Sequence, residues 1–382
     1  MRIGFLGPFG STYNADYGSE RQIGAIEHQI FELAKELSSM GNEVFVTRNW
    51  KGKEKENIIQ GIHFVNVILF GSTGQGFYDS RSPLNRLSSL YYLVKAPEQL
   101  GRLSLDVINA SGILSGWFAL KAIRTRKPRK VFITHNNDIY VQIGLSRSLK
   151  SYFTEKMLHT INKRYDATIA VTKGVKEYFR TLGLSCREII PEAIDPTEYK
   201  HLDDEGFILT SARLVPHKRV EDLIQAYSRI SDNIKEDLVI IGSGPCEKKL
   251  KSYAISLGLK ERVHFVPFLP KSKYRDYLSK CLIFVLPSEA EAFGVVIIEA
   301  MASGKPVIAR NIIGPRDIIK RGYNGFLFKD NNELKEYLTL LLSDSSLRRR
   351  IGDNARKTVE QKYTFDRIAD SYEQLYESLV SS

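Results

Sequence analysis

The chain has 382 residues, 43% hydrophobic and 26% charged, with a net charge of +11. That length allows two domains with separate cores, and the composition is ordinary for a soluble globular protein. No apolar run approaches the ~18–20 residues of a membrane span. The opening MRIGFLGPF reads as a strand rather than a signal peptide, and Cys186, Cys246 and Cys281 show neither disulfide nor metal spacing. The expectation is therefore a cytoplasmic protein.

In chain order, short apolar runs alternate with helical patterns. Strand-like runs in the first half are RIGFLG, EVFVTR, HFVNVILF, LDVINA, KVFITH, ATIAVT and REII. A helix is expected over residues 26–37, with Ile26, Ile30, Leu33 and Leu37 on one face. A second, "SRSLKSYFTEKMLHTINKRY", groups Leu149, Tyr152, Phe153, Met157 and Ile161, with Lys150, Lys156, Lys163 and Arg164 elsewhere. The polar stretch "IIPEAIDPTEYKHLDDEG" (189–206) reads as a boundary. Beyond it come GFILTSA, DLVIIG, VHFVP, CLIFVLP, KPVIAR and GFLF. A closing helix carries Phe365, Ile368, Tyr372, Leu375 and Leu379 at helical spacing. Two strand–helix series predict two doubly wound domains, with ligands outside the carboxyl ends of parallel strands.

The charge is uneven. Residues 1–190 carry a net +10 and the remainder +1, with six basic residues in "KAIRTRKPRK" (121–130). This asymmetry suggests a polyanionic partner for the first half. No nucleic-acid motif accompanies it, so an anionic membrane surface is the sharper reading, and a solvated basic face the bland one. Aromatics in "GFYDSRSPLNRLSSLYYLV" are candidates to line an acceptor groove.

The stretch "EAFGVVIIEAMASG" (291–304) follows a buried strand and sets Glu291 in a loop and Glu299 in an apolar helix ended by Gly304. A buried carboxylate needs partners, because ionised burial without them costs several kcal/mol. "SARLVPHKRVEDLI" places Arg213 and Lys218 just after a strand, where a single lysine is more often solvated but a pair suits an anion. "VIIGSGP" ends another strand in Gly242 and Gly244, which most often marks only a chain reversal. "KVFITHNND" ends a strand at His135. No D-x-D follows a strand, "LDDE" lies in the linker, and no metal-ligand cluster appears.

The segment E-A-F-G-x4-E-A-M-A-S-G-x-P-V-I-A resembles the E-x7-E signature of family 4 retaining glycosyltransferases. The resemblance is specific over about twenty residues and collinear over most of the chain. It implies the GT-B fold: two doubly wound Rossmann-like domains facing a central cleft, with a C-terminal crossover helix. Residues 1–190 would bind the acceptor, 195–362 the nucleotide sugar, and 363–382 would return to the first domain. Glu291 would contact the donor sugar and Glu299 the ribose. The backbone of Phe293, Gly294 and Val295 would approach the sugar, and Arg213 and Lys218 would face the diphosphate. Arg219 stands where the family usually has a small residue. Gly242 and Gly244 would border the nucleotide. Gly24, beside Glu27, would open a phosphate-facing first helix, and His135 would contact the sugar. Asn109 replaces a frequent histidine. "NIIGPRDII", with Gly314 and Asp317, resembles a supporting segment.

The implied reaction moves a hexosyl unit, with retention, from a UDP- or GDP-linked donor to a lipid-linked or saccharide acceptor. No metal or other cofactor is expected, and the enzyme would be cytoplasmic or peripheral on the membrane. The rival readings are a nucleotide-sugar 2-epimerase and a non-catalytic sugar- or lipid-binding scaffold.

Overall fold

The computed structural model describes residues 1–7, 25–50, 56–68, 83–123, 128–134, 149–201 and 206–382. Two compact units result: Met1–Glu192 with Phe365–Ser382, and Ala193–Thr364.

The first unit is built on strands β1 (Arg2–Leu6), β2 (Glu43–Trp50), β3 (Glu56–Ile59), β4 (Ile62–Ile68), β5 (Val107–Ser111), β6 (Arg129–Ile133), β7 (Ala167–Ala170) and β8 (Glu188–Ile189). Among the described residues they form one sheet in the order β3-β4-β2-β1-β5-β6-β7-β8. All neighbours are parallel except β3 and β4. The central strands are buried along nearly their whole length, which is why they read as continuous apolar runs. The short edge strand β3 escaped the sequence reading. It alternates exposed and half-buried residues and joins β4 through Gln60 and Gly61, both at positive φ (50° and 79°). Positive φ at both central positions is what a tight hairpin turn of primed type requires.

Helices α1 (Ala25–Ser39), α2 (Pro83–Gly101), α3 (Ile113–Ala122), α4 (Leu149–Arg164) and α5 (Lys173–Thr181) complete the chain's first part. Two expectations change here. Of the aromatics expected to line a groove, Tyr92 of α2 is instead a core residue, its hydroxyl 2.8 Å from Thr47 Oγ1, while Phe77 and Tyr78 lie outside the described residues. On α4 the buried side is Leu158, Ile161 and Tyr165, whereas Tyr152 and Phe153 are exposed and meet edge to face. In the basic run 121–130, Arg129 pairs with Asp166 at 3.3 Å and Lys130 is buried, so part of that charge is internal; residues 124–127 lie outside the described residues.

The last helix, α13 (Phe365–Val380), buries Phe365, Ile368, Tyr372, Leu375 and Leu379 together with Ala369 and Tyr376, and packs on α1. Full burial of a large apolar side chain stabilises by about 1.5–3 kcal/mol. Polar contacts fix its register: Asn109 Nδ2 donates to Tyr376 Oη at 2.7 Å, and Asn42 Nδ2 to Glu373 at 2.9 Å.

The second unit alternates β9 (Phe207–Ser211), α6 (Val220–Ser228), β10 (Asp237–Ile241), α7 (Glu247–Ser256), β11 (Val263–Val266), α8 (Lys271–Lys280), β12 (Ile283–Leu286), α9 (Val295–Ala302), β13 (Val307–Arg310), α10 (Pro315–Ile318) and β14 (Gly325–Phe328), then α11 (Asn331–Ser343) and α12 (Ser345–Lys362). Its parallel sheet runs β11-β10-β9-β12-β13-β14. The core gathers Leu223, Ile240, Val285, Ile308, Phe328 and Leu338. Strand order reverses between β9 and β12, the place where doubly wound sheets bind ligands.

Two glycines bring the loops after β9 and β10 together. A Cβ on Gly242 (φ 144°) would lie 1.9 Å from the Ala212 carbonyl oxygen, and one on Gly244 2.4 Å from that of Leu214. The close approach lets Leu214 N–H reach Ser243 O at 3.0 Å. Gly242→Ala is expected to lower unfolding free energy by about 2–4 kcal/mol through backbone strain and overpacking. Urea denaturation checks this; a loss under about 0.5 kcal/mol, the scale of a neutral surface change, would contradict it.

Candidate active site

Two loops meet at the switch point. The first leaves β9 through Arg213, makes a short 3-10 turn at Pro216–Lys218, and enters α6 behind Arg219. The second leaves β12 through Pro287 and reaches α9 behind Gly294 (φ 100°). They are tied at the backbone, where Glu289 N–H donates to His217 O at 2.9 Å. Their side chains complete the join: Lys218 Nζ donates to Glu291 Oε1, with only 16% and 9% of the two side chains exposed. Two charges so far removed from water must be paired. Arg213 is exposed on the same loop and, among the described residues, makes no side-chain hydrogen bond or ion pair.

Gly314 supports the second loop from beneath. Its Cβ would stand 2.8 Å from Glu291 O and 2.9 Å from Phe293 O, so only glycine fits. The Phe293 ring turns inward against Tyr363, with centroids 5.6 Å apart, leaving backbone at Phe293, Gly294 and Val295. Helix α9 starts with no side-chain cap, whereas Asp330 and Asp344 cap α11 and α12.

Glu299 lies farther along α9. Tyr199 Oη donates to its Oε1 at 3.1 Å, and the Tyr274 hydroxyl faces the same carboxylate without reaching a hydrogen bond. Burial raises its pKa above the ordinary 4.5; Lys271, the two tyrosines and Arg275 pull the other way without cancelling that effect. Burial, with the Glu299 charge next, holds both tyrosine hydroxyls protonated. Arg275 lies over the Tyr199 ring at 5.5 Å and bonds Glu198 at 2.7 Å. Several buried polar atoms here lack a partner among the described residues: Thr210 Oγ1 on β9, Tyr274 Oη and Arg275 Nε on α8, and Ser288 Oγ after β12. Such orphans call for a water or a ligand.

Of the residues named from sequence, the structure brings Lys218, Glu291, Phe293, Gly294 and Val295 together, with Arg213 on the same loop as Lys218 and Glu299 about one turn into the helix. Gly242 and Gly244 lie at the next loop, and the close approach they permit is to Ala212 and Leu214. Gly24 and His135 lie outside the described residues. Sequence reasoning missed Tyr199, Lys271, Tyr274 and Arg275. The K-S-K-Y-R run after Pro270 mixes cations with an aromatic, and was the available signal. Among the described residues no three His, Cys, Asp or Glu side chains could jointly hold a metal, and no helix is long and apolar enough to cross a membrane.

Two Rossmann-like units of this kind define the GT-B class of glycosyltransferase. The fold is shared, at 20% identity and TM-score 0.81, with sucrose-phosphate synthase from Thermosynechococcus elongatus, over 100% of this chain and 99% of that one. Anabaena HepE, solved with UDP, matches at 20% identity and TM-score 0.73, over 99% and 100% of the two chains. Family models for "Glycosyltransferase Family 4" and "Glycosyl transferases group 1" match residues 26–198 and 192–358. The chain belongs to the family 4 glycosyltransferases. An uncharacterized glycosyltransferase of Methanocaldococcus jannaschii is 28% identical over 94% of this chain and 95% of its own. A second from that organism is 31% identical, over 61% of this chain and 59% of its own. The N,N'-diacetylbacillosaminyl-diphospho-undecaprenol alpha-1,3-N-acetylgalactosaminyltransferase of Campylobacter jejuni is 24% identical over the full length of both.

The raised pKa of Glu299 has a signed consequence. A carboxyl that binds its proton more tightly when folded stabilises the fold at low pH, and that contribution is lost as pH rises through the folded pKa. A ligand whose hydroxyls donate to Glu299 favours the ionised form. UDP affinity, corrected for the nucleotide's own titration, is therefore expected to rise as pH climbs through the folded pKa, above 4.5, and then level off. Glu299→Gln should flatten this profile. Calorimetric titration across pH checks it; identical profiles for mutant and wild type would contradict the expectation.

Proposed function

We propose that the protein is a retaining glycosyltransferase that moves a hexosyl unit from a UDP- or GDP-linked donor to a lipid-linked or saccharide acceptor. The carrying observation is the Lys218–Glu291 pair, with Arg213 on the same loop as Lys218, at the carboxyl ends of β9 and β12. Cations suited to a diphosphate stand beside an acid suited to sugar hydroxyls, where the fold leaves room for a ligand. UDP is the favoured nucleotide because HepE, of the same fold, was solved with UDP and with UDP-glucose.

In this reading Arg213 and Lys218 bind the diphosphate and offset the charge that develops as it leaves. Glu291 accepts hydrogen bonds from sugar hydroxyls, its orientation set by Lys218. Glu299, held by Tyr199, accepts from the ribose. The bond between the anomeric carbon and the phosphate oxygen breaks, and its electron pair leaves with the phosphate. The acceptor oxygen bonds to that same face, and its proton passes to the departing phosphate. His135 orients the sugar. Lysine and arginine do what a divalent ion does elsewhere, so activity should survive chelation.

A lipid-linked acceptor is supported by the Campylobacter relative and by an amphipathic surface. Exposed Tyr152 and Phe153 on α4 accompany exposed Lys156, Lys163 and Arg164, and α2 exposes Leu87, Leu90 and Val94.

Removal of Lys218 or Arg213 is expected to lower kcat for donor turnover at least about 10²-fold, the scale of losing one oxyanion-stabilising donor. Proton NMR of the first-formed product should show the donor's anomeric configuration; an inverted anomer would overturn the retaining assignment. Vesicles containing anionic lipid should bind the protein less tightly as salt rises and when Tyr152 and Phe153 become serine. Binding indifferent to both changes would favour a soluble saccharide acceptor.

A further inference from the structure

Arg219 adopts a left-handed conformation, φ 48° and ψ 37°, at the junction between the Pro216–Lys218 turn and α6. Residues with a Cβ avoid this region, and glycine enters it freely. The backbone is held by its neighbours, Arg219 N–H donating to Pro216 O at 3.1 Å and Asp222 N–H to Arg219 O at 3.0 Å, and the side chain adds contacts that glycine could not make. Its Nε and Nη2 engage both oxygens of Asp222 at 3.1 and 2.9 Å, and Nη1 lies 3.1 Å from Glu221. Nε also lies 3.8 Å from Glu289 on the opposite loop. Asp222 in turn accepts from Arg310, whose Nε donates to Pro287 O at 2.9 Å.

The guanidinium thus reaches the loop carrying Glu291 by two routes. One is direct, to Glu289; the other runs through Asp222 and Arg310 to Pro287. Lys218, which contacts Glu291, is the adjacent residue. We propose that Arg219 is a positioning residue: a left-handed arginine that clamps the loop of Lys218 to the loop of Glu291 and fixes the separation of diphosphate-binding cation and sugar-binding acid. The catalytic part of this inference rests on the donor-site reading above; the mechanical part does not.

Arg219→Gly tests it, because glycine keeps the backbone conformation and removes the side chain that carries the guanidinium. In the full chain, the thermal midpoint should stay within about 3 °C, since relief of backbone strain offsets the loss of partly exposed ion pairs. Hydrogen exchange of amides 288–291 should nevertheless accelerate about 10-fold or more, with the rest of the second unit unchanged. With UDP-glucose as probe, hydrolysis kcat should fall about 10-fold while KM stays within about 3-fold, and Arg219→Lys should recover part of the loss. Unchanged exchange at 288–291 would overturn the clamp. So would faster exchange throughout the unit with a fallen midpoint, which would show a merely structural role. Wild-type protein that turns over no nucleotide sugar would instead remove the donor-site reading, and the exchange comparison alone would then decide the clamp.

Discussion

The reversal of strand order between β9 and β12 governs the second unit. On one side of it α6 packs with α7 and α11; on the other α9 packs with α8 and α12. Adjacent strands therefore send their chains to opposite faces of the sheet, and the loops diverge where they leave it. A gap at the ends of parallel strands uncovers polar groups that nothing in the sheet can satisfy. Lys218 and Glu291 meet at these strand ends from the two loops and neutralise each other. In the proposed reading, a nucleotide sugar would not have to drive charges out of water there and would only exchange partners with a pair already desolvated. Backbone contacts that only Gly242, Gly244 and Gly314 allow keep the gap's rim compact.

Glu299 obeys the same electrostatics with a different balance. It shares a helix with Ile297, Ile298 and Ala300, all fully buried, so desolvation outweighs the cations of α8. A tyrosine hydroxyl, neutral and held so by burial, satisfies one lone pair without fixing the charge. The carboxylate is left responsive: it gains most from a ligand that arrives with hydroxyl donors. Glu291 is instead committed to Lys218 across the two loops.

What the sequence showed depended on how local the cause was. Central strands were legible because burial on both faces leaves uninterrupted apolar runs such as VINAS and IFVL. β3 was not, since ENII alternates like a loop and its only signal was the Gln60–Gly61 pair. On α4 Ile161 was read correctly, but the aromatic Tyr152 and Phe153 drew the expected face away from Leu158 and Tyr165, which complete the buried side. The carboxylates of the 291–304 segment stood out because a charge amid Ile298 and Ala300 is anomalous locally. Their partners did not: Lys218 lies 73 residues from Glu291 and Tyr199 100 residues from Glu299, distances that only the sheet topology closes. Nor could spacing show that Arg219 is left-handed, because φ at one residue is set by the turn before it and the helix after it.

The first unit is discontinuous in sequence: α13 packs on α1 and reaches Asn109 and Asn42 through Tyr376 and Glu373, although the whole second unit intervenes. This imposes an order on biosynthesis. A ribosome delivers the residues of the second unit, Ala193–Thr364, in one uninterrupted stretch, and that unit can close its sheet as soon as it emerges. The first unit has all its described strands by then, yet lacks the helix that packs on α1 and bonds Asn42 and Asn109. The portion synthesised first is therefore the portion finished last. Until α13 leaves the exit tunnel, the nascent first unit carries an uncovered apolar face, which is a surface for chaperones to recognise.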